Sequence, residues 1–462
     1  MIEPTTMIST KAELADRLAA GPSSTPAWLA ELRREALDQF RAIGWPNLRQ
    51  EEWRWTNVAP LTKVAYRIPA PPDLGLPLEE WREQIAPYSL RLRGWRELVF
   101  VNGTLIPQLS EWAGPDLRIS ALSAAVDSQS ALIRRHLARG VALAQDGFTA
   151  LNTAGFQDGA FIHVPAGLQP DRPLHLLFFT PDHPGPVLVQ PRNLVVVDAG
   201  AKVVLAHSYA GASRQPALTN AVLEMVLGAA AQVELIQLQR EAAAAFHVSN
   251  TAVQLERQAA FQSLTVNLGG ALVRHNLQVR LKQPGGQATL LGLSVQTGRQ
   301  HVDNHTLLDH ASEQCRSSEL YKSLLGGRAE GVFKGKILVR SGAQKTDAKQ
   351  TSRTILLSED AVMNAQPQLE IYADDVKCTH GSTIGPLDEE QLFYLRCRGI
   401  SVAAAQRLLT YAFAGDVLNR LRHEGMRQYL ETLVRGALKG LSLVEPPVER
   451  KPTREEKSTE NS

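Results

Sequence analysis

The chain has 462 residues, and its 49 Lys and Arg residues nearly balance 47 Asp and Glu residues, so nucleic acid is not an expected partner. The length predicts two or three structural units, and three cysteines are too few for a disulfide framework, which indicates a reducing compartment. No signal pattern opens the chain, and no apolar run approaches the ~20 residues that span a bilayer. We therefore expect a cytoplasmic protein with no membrane association.

Residues 1–157 are predicted to form a mainly helical N-terminal region. Two amphipathic helices open it, the second capped by Thr25 and ended by Gly44. A hairpin with Asn102-Gly103 as its turn is predicted next, because this dipeptide favours the tight turns of hairpins. One further helix is expected over residues 134–151.

Residues 158–387 change to short runs of Val, Leu, Ile and Thr separated by turn residues. Candidate turn positions recur at about the period of solenoid repeats, at Gly200, Gly228, Gln258 and Gly286. The pattern predicts stacked β-units whose apolar faces share one core, with a β-sandwich as the alternative. The predicted inward-pointing residues are Val203, Leu205, Val233, Leu235, Phe261, Leu264 and Leu290.

Helical periodicity returns over residues 388–443, which form the predicted C-terminal helical domain. Asp388 and Ser401 each precede a helix as its N-cap, and Asp416 is expected to begin another. Residues 444–462 are rich in Pro, Glu, Lys and Ser without apolar periodicity, and are predicted to be a disordered tail.

The most informative segment is LEIYADDVKCTHGSTIG, residues 369–385, followed by DEEQLFYLRCRGI, residues 388–400. Its first part alternates as a strand does, and a turn then leads to the capped helix. Cys378 and His380 stand two residues apart, which places them on one side of an extended backbone. Thiolate and imidazole are both good iron ligands. The structural alternative is a buried small hydrophobe at Cys378 and a hydrogen-bonded turn residue at His380.

These two blocks resemble the C-terminal hallmark of the SufD branch of the SufB/SufD family, scaffold subunits of the Suf iron–sulfur cluster assembly machinery. Supporting blocks are EEWRWT, residues 51–56, and the His-rich run over residues 301–322. The resemblance implies a mainly β fold, with a right-handed parallel β-helix core flanked by N-terminal and C-terminal α-helical regions.

The resemblance also implies a function and partners. His380 would lie at the interface with the paralogous subunit SufB, facing the nascent cluster, with a less defined role for Cys378. A separate ATPase, SufC, would dock on the C-terminal helices of residues 388–443. The cluster would be transient and shared with SufB, with iron bound transiently at His380. No stably bound cofactor is implied, the association of a flavin stays open, and a homodimer of the isolated chain stays open too.

Two other functions agree less well with specific residues. A SufB-like paralogue would carry an EHEA motif around the histidine, whereas this chain has Thr379-His380-Gly381. A carbohydrate-active β-helix enzyme would need paired acids, but Asp374 and Asp375 are adjacent and would point to opposite faces of a strand.

The remaining motifs indicate no catalytic centre. No GxxxxGK[ST] loop is present, so the chain is expected to be a non-enzyme scaffold whose partner hydrolyses ATP. His301, Asp303 and His305, with His310 beyond, have metal-ligand side chains, but a hydrogen-bonded ladder is the favoured interpretation. Cys315 and Cys397 are expected to pack in the interior.

Overall fold

The computed structural model describes residues 11–19, 25–69, 77–112, 117–141 and 146–439. The predicted C-terminal tail, residues 444–462, lies outside these ranges. The helices are α1 (Lys11–Ala19), α2 (Ala27–Ile43), α3 (Ala59–Thr62), α4 (Leu78–Ile85), α5 (Leu122–Ser128), α6 (Ser130–His136), α7 (Gly147–Gly155), α8 (Glu389–Cys397), α9 (Val402–Leu418) and α10 (Glu424–Lys439).

Twenty strands make up most of the rest of the described chain. They are β1 (Arg96–Val101), β2 (Thr104–Leu105), β3 (Arg118–Ala121), β4 (Ala160–Val164), β5 (Leu174–Thr180), β6 (Val187–Val189), β7 (Arg192–Val197), β8 (Lys202–Gly211), β9 (Ala217–Leu227), β10 (Gln232–Arg240), β11 (Phe246–Leu255), β12 (Ala260–Asn267), β13 (Leu272–Leu281), β14 (Gln287–Gln296), β15 (His301–His310), β16 (Arg316–Leu325), β17 (Glu330–Val339), β18 (Asp347–Leu356), β19 (Val362–Ile371) and β20 (Lys377–Gly385).

The strands build a parallel β-solenoid of about 8 turns. The first sheet has the order β2-β1-β5-β8-β10-β12-β14-β16-β18-β20, and the second has the order β19-β17-β15-β13-β11-β9-β7-β4-β3. Successive turns of the chain add parallel strands to the two sheets alternately, whereas β1–β2 and β3–β4 pair antiparallel. The structure therefore confirms a mainly β solenoid flanked by helices rather than a β-sandwich.

The solenoid interior is an apolar cluster formed by alternate residues of both sheets. Six of the seven predicted inward-pointing residues belong to it; they are Val203, Leu205, Val233, Leu235, Phe261 and Leu290. The prediction is wrong for Leu264, which lies three residues after Phe261. On an alternating strand this spacing puts Leu264 on the outer face, where it joins the apolar cluster beneath the C-terminal helices.

The turns that lead into the first sheet stack on one another. Their central residues have positive φ, and each donates its backbone N–H to a carbonyl of the next turn of the solenoid. They are Gly200, Ala230, Gln258, Gly285, Gln314 and Lys345. The predicted positions Gly200 and Gln258 are confirmed. Gly228 lies two residues before the left-handed Ala230, and Gly286 lies one residue after the left-handed Gly285.

The N-terminal region covers the second sheet. Its helices and the Trp53 segment pack on outward-pointing residues such as Phe246 and Val248. The Asn102-Gly103 hairpin is confirmed, with both turn residues at positive φ. The helix predicted over residues 134–151 is wrong, because α6 ends at His136 and α7 begins at Gly147, capped by the Asp146 carboxylate.

The C-terminal helices α9 and α10 lie on the outer face of the first sheet. Ser401 caps α9 as predicted, its hydroxyl accepting from the Ala404 N–H. Asp416 does not begin a helix, because α9 continues to Leu418. Asp416 instead pairs with Lys322 of the first sheet at 2.8 Å.

Candidate functional site

The last turn of the solenoid carries both residues that the sequence singled out. Cys378 and His380 lie on β20, opposite Ala348 and Gln350 of β18. The sequence predicted that both residues lie in the turn after a single strand. In the structure that strand is β19, which ends at Ile371, and both residues lie on the next strand, β20. Their placement on one face of an extended backbone is as expected from the spacing.

The two side chains have different surroundings. Cys378 is half-buried against the interior cluster. Burial, assisted by the negative charge of Asp347, raises the pKa of its thiol. His380 is exposed. The imidazole is therefore the accessible donor, and the thiol stays protonated at neutral pH.

The two ends of the solenoid differ. At the N-terminal end, the short antiparallel strands β2 and β3 complete the two sheets. At the C-terminal end, β19 and β20 are the outermost strands of their sheets within the described residues. Of the large apolar side chains that are exposed within the described residues, four lie on or directly after these strands, namely Val362, Ile371, Tyr372 and Ile384. Two more, Phe393 and Tyr394, lie on α8.

Helix α8 extends this exposed apolar surface. Its N-cap Asp388 accepts the Gln391 N–H at 3.0 Å, as the sequence predicted. No residue of α8 within the described chain is buried, and Phe393 is 67% exposed. Cys397 is exposed as well, so its predicted interior packing is wrong. The reason is that α8 packs chiefly against α9 rather than on a sheet.

The two adjacent acids of the alternative hypothesis, a carbohydrate-active enzyme, lie in a loop. Asp374 and Asp375 occupy the bend between β19 and β20 rather than a strand. The Asp375 N–H donates to Gln344, and its carbonyl accepts the Lys345 N–H. The opposite-face geometry expected for a strand therefore does not apply, and the backbone contacts give Asp375 a structural role in the last turn of the solenoid.

The His301 to His305 run forms a hydrogen-bonded network on the outer face of the second sheet. Buried Asp303 accepts from Thr56 at 2.5 Å and from Arg274 at 2.6 Å, and lies 3.0 Å from the His305 ring. Burial alone would raise the pKa of Asp303, but the charges of Arg274 and His305 lower it. Within the described residues, no group of three His, Cys, Asp or Glu side chains could hold a metal ion. The hydrogen bonds that Asp303 accepts from Thr56 and Arg274 confirm the predicted hydrogen-bonded ladder.

Two further candidates lie inside the solenoid. His310 is buried and its Nε2 lies 2.8 Å from the Ser317 hydroxyl. Cys315 is buried as predicted, and burial raises the pKa of its thiol. Both have interior packing roles.

A row of interior side chains leads along the first sheet to His380, and it was not predicted from the sequence. Leu290, Glu319, Gln350 and His380 occupy equivalent positions on successive strands of the first sheet. We call these four residues the interior column. No local motif marks Glu319 or Gln350, since about 30 residues separate neighbours of the column in the chain.

Comparison with known proteins decides the family. The chain matches two family descriptions, the SufBD protein N-terminal region over residues 22–176 and the SUF system FeS cluster assembly SufBD core domain over residues 179–413. The chain belongs to the SufB/SufD family of iron–sulfur cluster assembly proteins.

Individual relatives agree with this assignment. An iron–sulfur cluster assembly SufBD family protein of Synechocystis is 35% identical over 85% of this chain and 87% of its own length. The iron–sulfur cluster assembly protein SufD of Escherichia coli is 30% identical over 86% of this chain and 90% of its own. SufD of Bacillus subtilis is 25% identical over 90% and 95%, respectively. Among the described helices, none is long and apolar enough to cross a membrane.

Proposed function

We propose that this chain is the SufD-like, non-ATPase scaffold subunit of a cytoplasmic SufBCD complex. It would support the assembly of nascent iron–sulfur clusters at its interface with a SufB-like paralogue. The observation that carries the proposal is the C-terminal end of the solenoid, the open end, where His380 is exposed among apolar side chains and strand edges that no described strand pairs with.

The open end has the chemistry of a protein interface. The outermost strands of a sheet present backbone N–H and C=O groups that another strand can pair with. The exposed Tyr372 and Ile384 side chains supply apolar area beside these groups. A SufB-like solenoid would offer matching strands, and in its absence a second copy of this chain would occupy the same surface.

The cluster itself is cargo in this proposal and is held transiently. Iron–sulfur clusters are usually held by four protein ligands, whereas His380 and Cys378 offer at most two. The partner must supply the others, which places the cluster between the subunits. The imidazole of His380 would bind iron, and Cys378, whose raised thiol pKa makes it a poorer ligand, would assist. A stably bound cofactor forms no part of the proposal.

The C-terminal helices are the proposed docking site of the SufC-like ATPase. Their inner sides cover the first sheet, so a partner has access only to their outer sides. Leu408 of α9 is 50% exposed there. ATP hydrolysis would take place on the partner, and this chain would act as a non-enzymatic subunit.

Two charged substitutions separate the proposed surfaces. We expect Ile384→Lys to abolish co-purification with the SufB-like partner and to leave the SufC-like ATPase bound, because a lysine would bring a charge into an apolar interface. Leu408→Lys should have the reverse effect. Leu48→Lys is the matched control, since Leu48 is 49% exposed and lies in the turn after α2, in the N-terminal region rather than on either surface. Complex composition is measured by size-exclusion chromatography with mass detection.

A stable, folded Ile384→Lys chain that still binds the SufB-like partner would contradict docking through the open end. Loss of both partners from that variant, with a lowered unfolding temperature, would instead point to a general folding defect. The Leu48→Lys chain should then remain intact and bind both partners.

A further inference from the structure

The interior column becomes polar as it approaches the open end. Leu290 lies in the apolar interior, whereas Glu319 and Gln350, which follow it in register, are both 1% exposed. His380 is the last member and the only exposed one of the four. The side chain directly behind the proposed iron donor is therefore a buried amide.

The Gln350 amide is fixed on one side. Its Nε2 donates to Glu319 Oε2 at 2.7 Å. On the facing strand, Gly335 leaves room for the amide, since a Cβ at that position would collide with Gln350 Nε2. The amide thus lies across the solenoid interior with its nitrogen directed to Glu319.

The other side of the amide is unsatisfied. Gln350 Oε1 is buried and has no hydrogen-bond partner among the described residues. A buried acceptor without a donor is destabilising, so a donor from a neighbouring position would stabilise it. The next residue of the column is His380, and a neutral imidazole carries one N–H.

We propose that Gln350 is a positioning residue for His380. In the structure the two groups are not hydrogen-bonded, since Oε1 has no partner and His380 is exposed. A rotation of the His380 side chain toward the column would let Oε1 accept the imidazole N–H, fix one tautomer and leave the other ring nitrogen unprotonated toward the interface. This inference rests on the proposed role of His380 as an iron donor. A hydrogen bond behind a ligating histidine sets its tautomer and orientation, and loss of such a bond typically reduces metal affinity or activity 10–100-fold.

Glu319 supports this arrangement without contacting the cluster site. Burial raises its pKa to about 7, so the carboxyl is largely uncharged below neutral pH. Its oxygen accepts from Gln350 Nε2, which orients the amide so that Oε1 points away from Glu319.

Histidine tautomers are measured directly by NMR on the full chain labelled with ¹⁵N-histidine. His380→Ala identifies the resonances of His380 by their disappearance. We expect a single neutral tautomer in the unmodified chain and a mixture of two in Gln350→Leu. Thr354→Val is the matched control, because Thr354 is a buried polar residue of the same strand outside the interior column.

Cluster loading is measured in the complex reconstituted with SufB-like and SufC-like partners, with ferrous iron and sulfide supplied anaerobically. Gln350→Leu should reduce the loading rate about 10–100-fold, and the double variant with His380→Ala should be no slower than His380→Ala alone. The exchange Glu319→Gln with Gln350→Glu keeps an oxygen toward His380 and should restore both the tautomer and the rate.

The outcomes separate this inference from the function on which it rests. If His380→Ala stops loading but Gln350→Leu changes neither tautomer nor rate, the positioning role is overturned and the proposed function stands. If His380→Ala loads normally, both are overturned. If Gln350→Leu does not fold, Gly335→Ala displaces the amide without removing it, and an unchanged His380 tautomer in that folded variant overturns the positioning role.

Discussion

Glu319 carries a carboxyl group inside the solenoid, where few interactions offset the cost of burying a charge. It is 1% exposed, and the neutral Gln350 and Thr306 side chains lie beside it. Burial in an apolar environment disfavours the ionised form, which is why its pKa rises to about 7. The residue therefore makes the stability of the chain depend on pH.

The direction of that dependence follows from the two pKa values. In the unfolded chain Glu319 has the ordinary pKa of 4.5, so below this pH both states are protonated. Between pH 4.5 and about 7 the unfolded state releases the proton and the folded state keeps it, so the contribution of Glu319 to stability falls as pH rises. Above about pH 7 the loss is complete and constant.

We predict that Glu319→Gln removes this loss. Relative to the unmodified chain, the free energy of unfolding of the variant should rise by on the order of 3 kcal/mol between pH 4.5 and pH 8. Thermal unfolding at several pH values measures it, with Glu313→Gln, an exposed carboxylate, as control. An equal difference between variant and parent at pH 5 and pH 8 would show that the Glu319 pKa is not raised.

At the residue scale, the sequence was sufficient to identify His380, the last residue of the interior column. It did not identify Gln350 and Glu319, which lie behind His380 in the same column. Cys378 and His380 could be found because they stand in one uninterrupted block. Gln350 and Glu319 become neighbours of that block only through the register of parallel strands. Register between turns of a solenoid depends on turn lengths that vary, and the αL position at Ala230 rather than Gly228 illustrates how local composition misplaces it.

Among the elements, α9 shows how tertiary packing overrides a local signal. Asp416 has the chemistry of an N-cap, but α9 continues past it because Ala414, Val417 and Leu418 are buried in the apolar cluster on the first sheet. The carboxylate is used differently, as the partner of the buried Lys322 ammonium. The same ammonium also donates to the Phe413 carbonyl at 3.0 Å and lies over the Phe413 ring.

We predict that the two partners of this ion pair respond unequally to substitution. Asp416→Ala should destabilise the chain by about 1–3 kcal/mol, because it leaves a buried ammonium with one charged partner fewer. Lys322→Met should cost less, since an apolar side chain of similar length fits the same apolar surroundings. Urea unfolding of both single variants and the double variant measures the coupling. A larger loss for Lys322→Met would contradict this account of how α9 is held.

The predicted helices agree with the structure where an N-cap residue and apolar periodicity indicate the same helix. Asp388 and Ser401 both cap helices as expected. The prediction failed at Leu264. This residue is one position away from an inward-facing position of its strand, so its side chain faces outward and packs beneath α9 and α10. It failed again over residues 134–151, where apolar periodicity continued across two separate helices.

The whole molecule is asymmetric along the solenoid. Antiparallel strands and helices cover the N-terminal end and the outer faces of the sheets, while no strand of the described residues pairs beyond β19 and β20 at the C-terminal end. The parallel architecture could be anticipated from the repeated turns and from the family resemblance. The open end could not, because it depends on where the last strand of each sheet stops and on α8 packing away from the solenoid.

The family assignment and this asymmetry together support the proposed assembly site. A scaffold that shares a transient cluster needs an accessible donor at a surface that a partner covers. His380 meets both requirements, since it is exposed and lies on the outermost strand of the first sheet. Because little packing depends on an exposed side chain, its loss should leave folding and partner binding intact.

The most direct test is the iron and sulfide content of the complex assembled anaerobically with His380→Ala in place of the unmodified chain. Thr379→Ala is the matched control, because Thr379 is an exposed neighbour on the same strand whose side chain points to the opposite face. We predict a folded, partner-bound His380→Ala complex that loses most of its cluster, with Thr379→Ala unaffected. A folded His380→Ala complex that loads iron and sulfide at the normal rate would contradict the account.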